Sequence, residues 1–323
     1  MAARFKVVVT DDRYGNYREE QAVLAEIEAE LVVRDFKSPE EAIDGLADAD
    51  GVLVNLFPMD ARVIGGLRKC KILSRYGVGY DNVDVSAATA KGIWVTRVPD
   101  YCIEDVSDQA LALILGCVRG VAFKDRQVRA GQWNLHTKVQ TLRVRGSVLG
   151  LVGYGAVARA LHRKVSGFKL ARVLAYDPYL DAALMAGLGA EPVDLEWLLQ
   201  QSDYVSVHAP LGPETRGLIG KRQLALMKPT AILVNTSRGP VVDEQALISA
   251  LESKRLAAAG LDVFEREPLP ADSPLRRLEN VILSDHAGWY SEESVVELKQ
   301  KVAQNVAAVL TGGAPPYPVN KII

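Results

Sequence analysis

Val148-Leu149-Gly150-Leu151-Val152-Gly153-Tyr154-Gly155-Ala156-Val157-Ala158 reads as a buried strand, a glycine turn and the start of a helix running on through Arg159 to Phe168. The turn spells GxGxxA. Gly153 permits the tight turn, Gly155 lets backbone approach a pyrophosphate, and Ala158 keeps helix and strand close. The first N–H groups of the helix, around Tyr154, Ala156 and Val157, then face the phosphates. A glycine-rich turn alone is weak evidence for a dinucleotide site. The next strand, Val173-Leu174-Ala175-Tyr176-Asp177, strengthens it. Asp177 ends that strand about twenty residues on, where an acid accepts from the adenosine ribose hydroxyls. A carboxylate there repels a 2′-phosphate, and no arginine follows within Pro178-Tyr179-Leu180-Asp181, so NAD is expected over NADP.

Outward from this unit, short β-branched runs alternate with helical patterns along the chain, the signature of an α/β protein with parallel sheets. Val148–Val152, Val173–Tyr176, Tyr204–His208, Ala231–Asn235, Ala258–Asp262 and Val281–Ser284 suit one complete doubly wound sheet. Before them, strands at Val7–Thr10, Gly51–Asn55, Lys71–Arg75 and Ile93–Thr96 alternate with amphipathic stretches at Arg18–Glu30 and Pro39–Ala47, giving a smaller α/β domain. Glu104 to about Ala130 is predicted as one long helix joining the two, and Ser291–Leu310 as a helix crossing back to the first domain. The expected domains are 1–99 with 292–323, and 100–291.

A chain of 323 residues with 49% hydrophobic content can bury two such cores. Its net charge of −2, with acids and bases interspersed, excludes binding to nucleic acid or an anionic membrane by charge alone. The longest apolar run, Ala110–Val118, is too short to span a bilayer, and the N-terminus lacks the pattern of a signal peptide. Cys70, Cys102 and Cys117 lie in separate segments without a CxxC pair, so neither a metal site nor a disulfide framework is expected. A reduced, cytoplasmic setting fits best.

The chain has four histidines. His162 lies on the helix after the glycine turn and His136 in a polar loop, both ordinary structural or solvated positions. His208 ends one strand of the larger sheet and His286 follows another, at the edge where ligands bind in open α/β sheets. His208 is a plausible cofactor neighbour. Arg238 follows another strand of that edge, and Glu267 another. Taken singly, an arginine and a glutamate there are usually surface ion pairs. Together with His286 they make the set that redox chemistry at a 2-hydroxy acid demands: a cation for the carboxylate and C2 oxygen, an acid/base, and an acid to support it.

The ordered set Asn235-x-x-Arg238-Gly239, Asp262-Val263-Phe264-x-x-Glu267-Pro268 and His286-Ala287-Gly288 resembles the D-isomer-specific 2-hydroxyacid dehydrogenases. The likeness spans nearly the whole chain, including Tyr80-Asp81-Asn82-Val83-Asp84 and His208-x-Pro210-Leu211 with Thr215. It implies a Rossmann NAD-binding domain inserted in a flavodoxin-like substrate domain, and a homodimer built largely through the nucleotide domains. Carried over, Arg238 binds the substrate carboxylate and C2 oxygen, His286 exchanges the proton, and Glu267 pairs with His286. Thr236 and Asp262 join the cofactor-binding set, Asp262 at the nicotinamide end. The implied activity is NAD-dependent interconversion of a small 2-oxo acid and its D-2-hydroxy acid.

Within the family, Arg75-Tyr76-Gly77-Val78-Gly79-Tyr80-Asp81-Asn82, Tyr176-Asp177-Pro178-Tyr179-Leu180 and Trp289-Tyr290-Ser291-Glu292 are most similar to the C-terminal binding proteins. That likeness makes Arg75 a second carboxylate ligand, helped by backbone N–H groups around Val78 and Gly79, with Trp289 walling the side-chain pocket. Leu56, in Asn55-Leu56-Phe57-Pro58-Met59, could complete that wall, although core packing is its commoner role. An apolar pocket favours a hydrophobic or thioether tail. Phosphoglycerate dehydrogenase, another branch, stays open because several arginines are unplaced. An NAD-sensing corepressor-like scaffold stays open too, although an intact Arg, Glu and His set favours catalysis. Formate-dehydrogenase relatives carry glutamine in place of the supporting glutamate, so Glu267 argues against that branch. Two departures stand out: Asp285 where the family commonly has proline, and Val106 where the C-terminal binding proteins carry a threonine.

Overall fold

The computed structural model describes residues 3–134 and 141–322, so His136 lies outside the described residues. The chain divides into two compact units, Met1–Cys102 with Tyr290–Ile323, and Ile103–Trp289.

The first unit is a five-stranded parallel sheet of β1 (Phe5–Val9), β2 (Ala29–Val33), β3 (Gly51–Val54), β4 (Ile72–Arg75) and β5 (Trp94–Thr96), in the order β2-β1-β3-β4-β5. This is the flavodoxin-like order. Val7, Val8 and Val9 are fully buried, and a strand covered on both faces reads as such a continuous apolar run. On one face Val8, Val52, Val54 and Leu73 pack with Ala42, Leu46, Val63 and Ile64 of the helices Pro39–Leu46 and Ala61–Gly66. The other face carries the helix Glu292–Leu310, where the Ser74 hydroxyl donates to the Val302 carbonyl at 2.9 Å. Ser291 and Ser294 close a reciprocal capping box at its start.

One expectation changes here. The predicted helix Arg18–Glu30 ends at Ala25; Glu28 turns the chain at φ 58°, and β2 starts at Ala29. Phe5 through Val9 pair with Ala29 through Val33 in register, so tertiary pairing overrides the helical pattern.

The second unit is a seven-stranded parallel sheet: β6 (Val148–Val152), β7 (Arg172–Tyr176), β8 (Glu191–Pro192), β9 (Tyr204–Val207), β10 (Ile232–Asn235), β11 (Ala258–Leu261) and β12 (Val281–Leu283). Its order is β12-β11-β10-β9-β6-β7-β8. Six of these strands match the sequence reading, and the two-residue β8 adds an edge. Chain order reverses between β6 and β9, which places the switch point of the fold beside the glycine turn. The helix Ile103–Arg119 lays Leu113, Ile114 and Cys117 on Leu149, Ile232 and Val234. The expected single helix from 104 to 130 is two: Gly120, at φ 60°, separates Ile103–Arg119 from Val121–Arg129 with a 60° bend. A left-handed residue ends one helix and starts the next, and glycine adopts that conformation at little cost.

All three cysteines are buried and free, and burial pushes the Cys70 and Cys117 thiols up to about 12. No single helix among the described residues is long and apolar enough to cross a membrane.

Candidate active site

Every strand of the second unit runs in the same direction, so the segments after β6, β7, β9, β10, β11 and β12 emerge at one edge. That edge holds Gly153, Asp177, His208, Thr236, Arg238, Asp262, Glu267 and His286.

After β6, Gly153 sits at φ +85°, and a Cβ there would lie 2.8 Å from the Ala209 nitrogen and 2.9 Å from the His208 carbonyl carbon. Glycine is therefore required where the turn passes the end of β9. Gly155 starts the helix Ala156–Lys164 and has no side chain to cap its first N–H groups; a Cβ at Gly155 would meet only open space. The Tyr154 side chain is buried, its hydroxyl 2.7 Å from His162 Nδ1, so only its backbone borders the turn. The Tyr154 N–H donates to Asp177 Oδ2 at 2.9 Å, and the Tyr179 N–H to Asp177 Oδ1 at 3.0 Å. Each oxygen retains a lone pair for a hydroxyl donor. Thr236 is buried, and its Oγ1 has no partner among the described residues. A bare helix N-terminus, a glycine cradle, an acid at the end of the second strand and an orphaned buried hydroxyl all fit a nicotinamide dinucleotide. His208 Nε2 lies 2.9 Å from Ser206 Oγ, and burial pushes the imidazole down to about 4.

The chemistry-bearing groups follow β10, β11 and β12. The Asn235 side chain ties down the loop that carries Arg238. Its Nδ2 donates to the Arg238 carbonyl at 2.9 Å, and its Oδ1 accepts from the Ser237 N–H and hydroxyl at 3.0 and 2.9 Å. The Arg238 Nη1 donates to the Ser237 carbonyl at 2.8 Å. His286 Nδ1 lies 2.7 Å from Glu267 Oε2, while Glu267 Oε1 accepts from the Phe264 N–H at 3.0 Å. Burial raises the Glu267 carboxyl, but the hydrogen bond and charge of His286, the Phe264 N–H and the charge of Arg238 outweigh it and hold it below its ordinary value. The carboxylate is thus ionised at neutral pH and orients the imidazole through Nδ1, leaving Nε2 for proton exchange.

His286 adopts φ 57°, a left-handed conformation uncommon for a residue with a Cβ. Asp262 holds it there. The Asp262 carbonyl accepts from the His286 N–H at 2.8 Å, Oδ1 accepts from Ala287 N–H at 3.0 Å, and Oδ2 accepts from Gly288 N–H at 2.9 Å. Asp262 is 2% exposed, so its carboxylate works here as an anchor for the histidine turn, a task its sequence position does not reveal. Asp285, which stands where the resemblance leads one to expect proline, is exposed.

In the first unit, Arg75 ends β4 and Val78 and Gly79 follow it. Gly77, at φ 133°, would place a Cβ 2.1 Å from Arg75 Nη1, so glycine lets the guanidinium lie over the turn. Val78 and Leu56 are exposed. Trp289 is half-buried and closes the second unit, three residues after His286. The structure therefore gathers Arg238, Glu267, His286 and the cofactor-binding candidates on one sheet edge, and carries Arg75, Val78 and Gly79 on the other unit.

Residues 111–288 match the family model for the NAD-binding domain of D-isomer specific 2-hydroxyacid dehydrogenases. The chain is 45% identical over 284 residues to a glyoxylate reductase of Korarchaeum cryptofilum, spanning 86% of this chain and 85% of that one. It is 39% identical over 303 residues to a D-3-phosphoglycerate dehydrogenase of Mycobacterium leprae, covering 93% of this chain and 57% of that protein. Among solved structures, the holo D-mandelate dehydrogenase of Rhodotorula graminis superposes with a TM-score of 0.90 at 30% identity, covering 99% of both chains.

Proposed function

We propose that this chain, which belongs to the D-isomer-specific 2-hydroxyacid dehydrogenase family, acts on glyoxylate and 2-oxo acids of similar size. It is a nicotinamide-dinucleotide-dependent oxidoreductase that interconverts 2-oxo and 2-hydroxy acids. The observation that carries the mechanism is the Glu267–His286 pair beside the Arg238 loop at one sheet edge. When bound, the nicotinamide supplies or accepts the hydride at the substrate C2 carbon. Arg238 holds the carboxylate and C2 oxygen in a charge-assisted contact and offsets the negative charge that grows on that oxygen. His286 gives its Nε2 proton to the oxygen during reduction and takes it back during oxidation. Glu267, ionised and bonded to Nδ1, stabilises the imidazolium and fixes the ring. Arg75, the backbone at Val78 and Gly79, and Trp289 complete substrate binding in this reading.

Asp177 supports NAD as the preferred cofactor, bound through Gly153, Tyr154, Gly155, Ala156, Val157, Asp177, His208, Thr236 and Asp262. A homodimer in the cytoplasm completes the reading. Glyoxylate is favoured over the hydrophobic tail expected from Trp289 and Leu56 by the 45% identity to the Korarchaeum enzyme. A second reading, 3-phosphoglycerate oxidation, is favoured by the mycobacterial relative. NADH oxidation across glyoxylate, hydroxypyruvate, pyruvate, phenylpyruvate, 4-methylthio-2-oxobutyrate and 3-phosphohydroxypyruvate tests both. Highest kcat/KM on glyoxylate or hydroxypyruvate supports the proposal. Activity confined to 3-phosphohydroxypyruvate replaces it with the second reading.

A further inference from the structure

We infer that Ser284 and Gln109 are positioning residues for the catalytic histidine, acting through Asp262; the inference rests on the acid/base role proposed for His286. Ser284 follows β12 and Gln109 lies on the helix Ile103–Arg119, so three separate elements meet in one relay. Gln109 Nε2 donates to Ser284 Oγ at 2.9 Å. Ser284 Oγ donates to Asp262 Oδ1 at 2.6 Å. Asp262 then receives the Ala287 and Gly288 N–H groups, which directly follow the left-handed His286.

Two features make this more than a chance contact. First, Asp262 is 2% exposed, and a buried carboxylate needs its full set of donors; Ser284 supplies the shortest of the three side-chain bonds it receives. Second, the His286 conformation is intrinsically disfavoured and persists only where its surroundings over-determine it. Gly288 reinforces the point. A Cβ there would lie 2.8 Å from Asp262 Oδ2 and 3.2 Å from Gln109 Cγ, so the turn is packed directly against both ends of the relay. The donor directions are settled as well: Asp262 accepts only, so Ser284 must spend its single proton on it, leaving the Ser284 lone pairs for the Gln109 amide.

Loosening the relay frees the turn and with it the angle at which His286 meets Glu267, whereas the glycine turn and Asp177 at β6 and β7 are untouched. The test uses Ser284→Ala, Ser284→Thr and Gln109→Leu in the full chain. Two readouts are taken. One is kcat, KM and the pH profile of kcat/KM with glyoxylate and NADH, alongside the NADH dissociation constant by fluorescence. The other is the downfield proton resonance of the His286–Glu267 hydrogen bond, assigned by its loss in His286→Ala, which needs no turnover. For Ser284→Ala, losing one hydrogen bond to a charged group should lower kcat about tenfold, with NADH affinity, held also at Gly153, Gly155 and Asp177, changed much less. The limb of the pH profile set by the Glu267–His286 pair should move, and the downfield resonance should broaden or vanish. Ser284→Thr, which keeps the hydroxyl, should restore both. Gln109→Leu should act in the same direction and add nothing to Ser284→Ala, as expected for members of one relay. An unaltered resonance and pH profile in Ser284→Ala overturns the inference, and so does a loss of kcat that Ser284→Thr fails to rescue. If the wild-type chain turns over no 2-oxo acid, the functional proposal fails, while the resonance still decides whether the relay positions His286.

Discussion

Replacing Gly239 with alanine should disable the site while leaving the cofactor cradle intact. Gly239 follows Arg238 directly, and a Cβ there would lie 1.9 Å from the carbonyl carbon and oxygen of Phe264 and 2.5 Å from the Glu265 nitrogen. All three are backbone atoms of the loop that carries Glu267, so no side chain can swing aside. Ordinary contact begins near 3.4 Å, so the loops after β10 and β11 must part by about 1.5 Å to restore it. Overpacking of this kind costs about 1–3 kcal/mol in stability. The larger effect is on geometry, since a displacement of about 1 Å at a reacting group costs on the order of a hundredfold in rate. Steady-state kinetics with glyoxylate, thermal melting and NADH fluorescence titration read the three consequences separately. The expected outcome is a folded protein with a lowered melting temperature, near-normal NADH affinity and kcat/KM down about a hundredfold. Gly150→Ala is the control. Its Cβ would press on Ser202 Oγ at 2.3 Å and Leu198 Cδ2 at 2.5 Å, side chains within the core of the sheet, so it should lose stability and keep its kcat. A folded Gly239→Ala protein with wild-type kcat/KM would refute the reasoning.

Gly155→Ala should behave in the opposite way: its Cβ meets no protein atom within 4 Å, so the melting temperature should hold, while NADH affinity falls at least about tenfold because the methyl occupies the space a pyrophosphate needs. Asp177→Ala should raise the NADPH-to-NADH ratio of kcat/KM, and an unchanged ratio would remove Asp177 from cofactor selection. His208 is held to about 4, against an ordinary value of 6.5, so its folded state resists protonation. Stability from this group is fully present above about 6.5 and lost as pH falls toward 4, by at most about 3 kcal/mol, less what solvent screens at the exposed part of the ring. Urea unfolding at pH 7.5 and 4.5 should therefore show a smaller pH dependence in His208→Gln than in the wild-type chain.

How far the fold could be read from the chain depended on whether a segment's neighbours were local. The β6 turn was legible because strand, glycines and helix start lie within eleven residues and each residue has a local reason. The strands of the larger sheet were legible because burial on both faces leaves continuous apolar runs. β2 was not, because Ala29–Val33 is an edge strand that continues a helical pattern without a glycine or proline to mark the break; Glu28 makes the turn instead. β8 is two residues long and carries no periodicity. Arg238, Glu267 and His286 could be singled out because each follows a strand. What they rest on could not: the clamp by Asn235, the anchoring by Asp262 and the relay from Gln109 through Ser284 link residues as far as 175 positions apart. Nothing in the chain near Ser284 or Gln109 announces that they meet. The buried Tyr154 side chain is a similar case, since its neighbour His162 is one helix turn beyond the motif that drew attention to it.

The most direct test compares wild-type and His286→Ala chains in NADH oxidation with glyoxylate, with NADH binding followed by fluorescence in the same preparations. The account predicts turnover in the wild-type chain, a loss of kcat of at least about a thousandfold in His286→Ala, and equal NADH affinity in both. Turnover in His286→Ala at the wild-type rate would contradict it, because the proposed mechanism passes the proton through His286 alone.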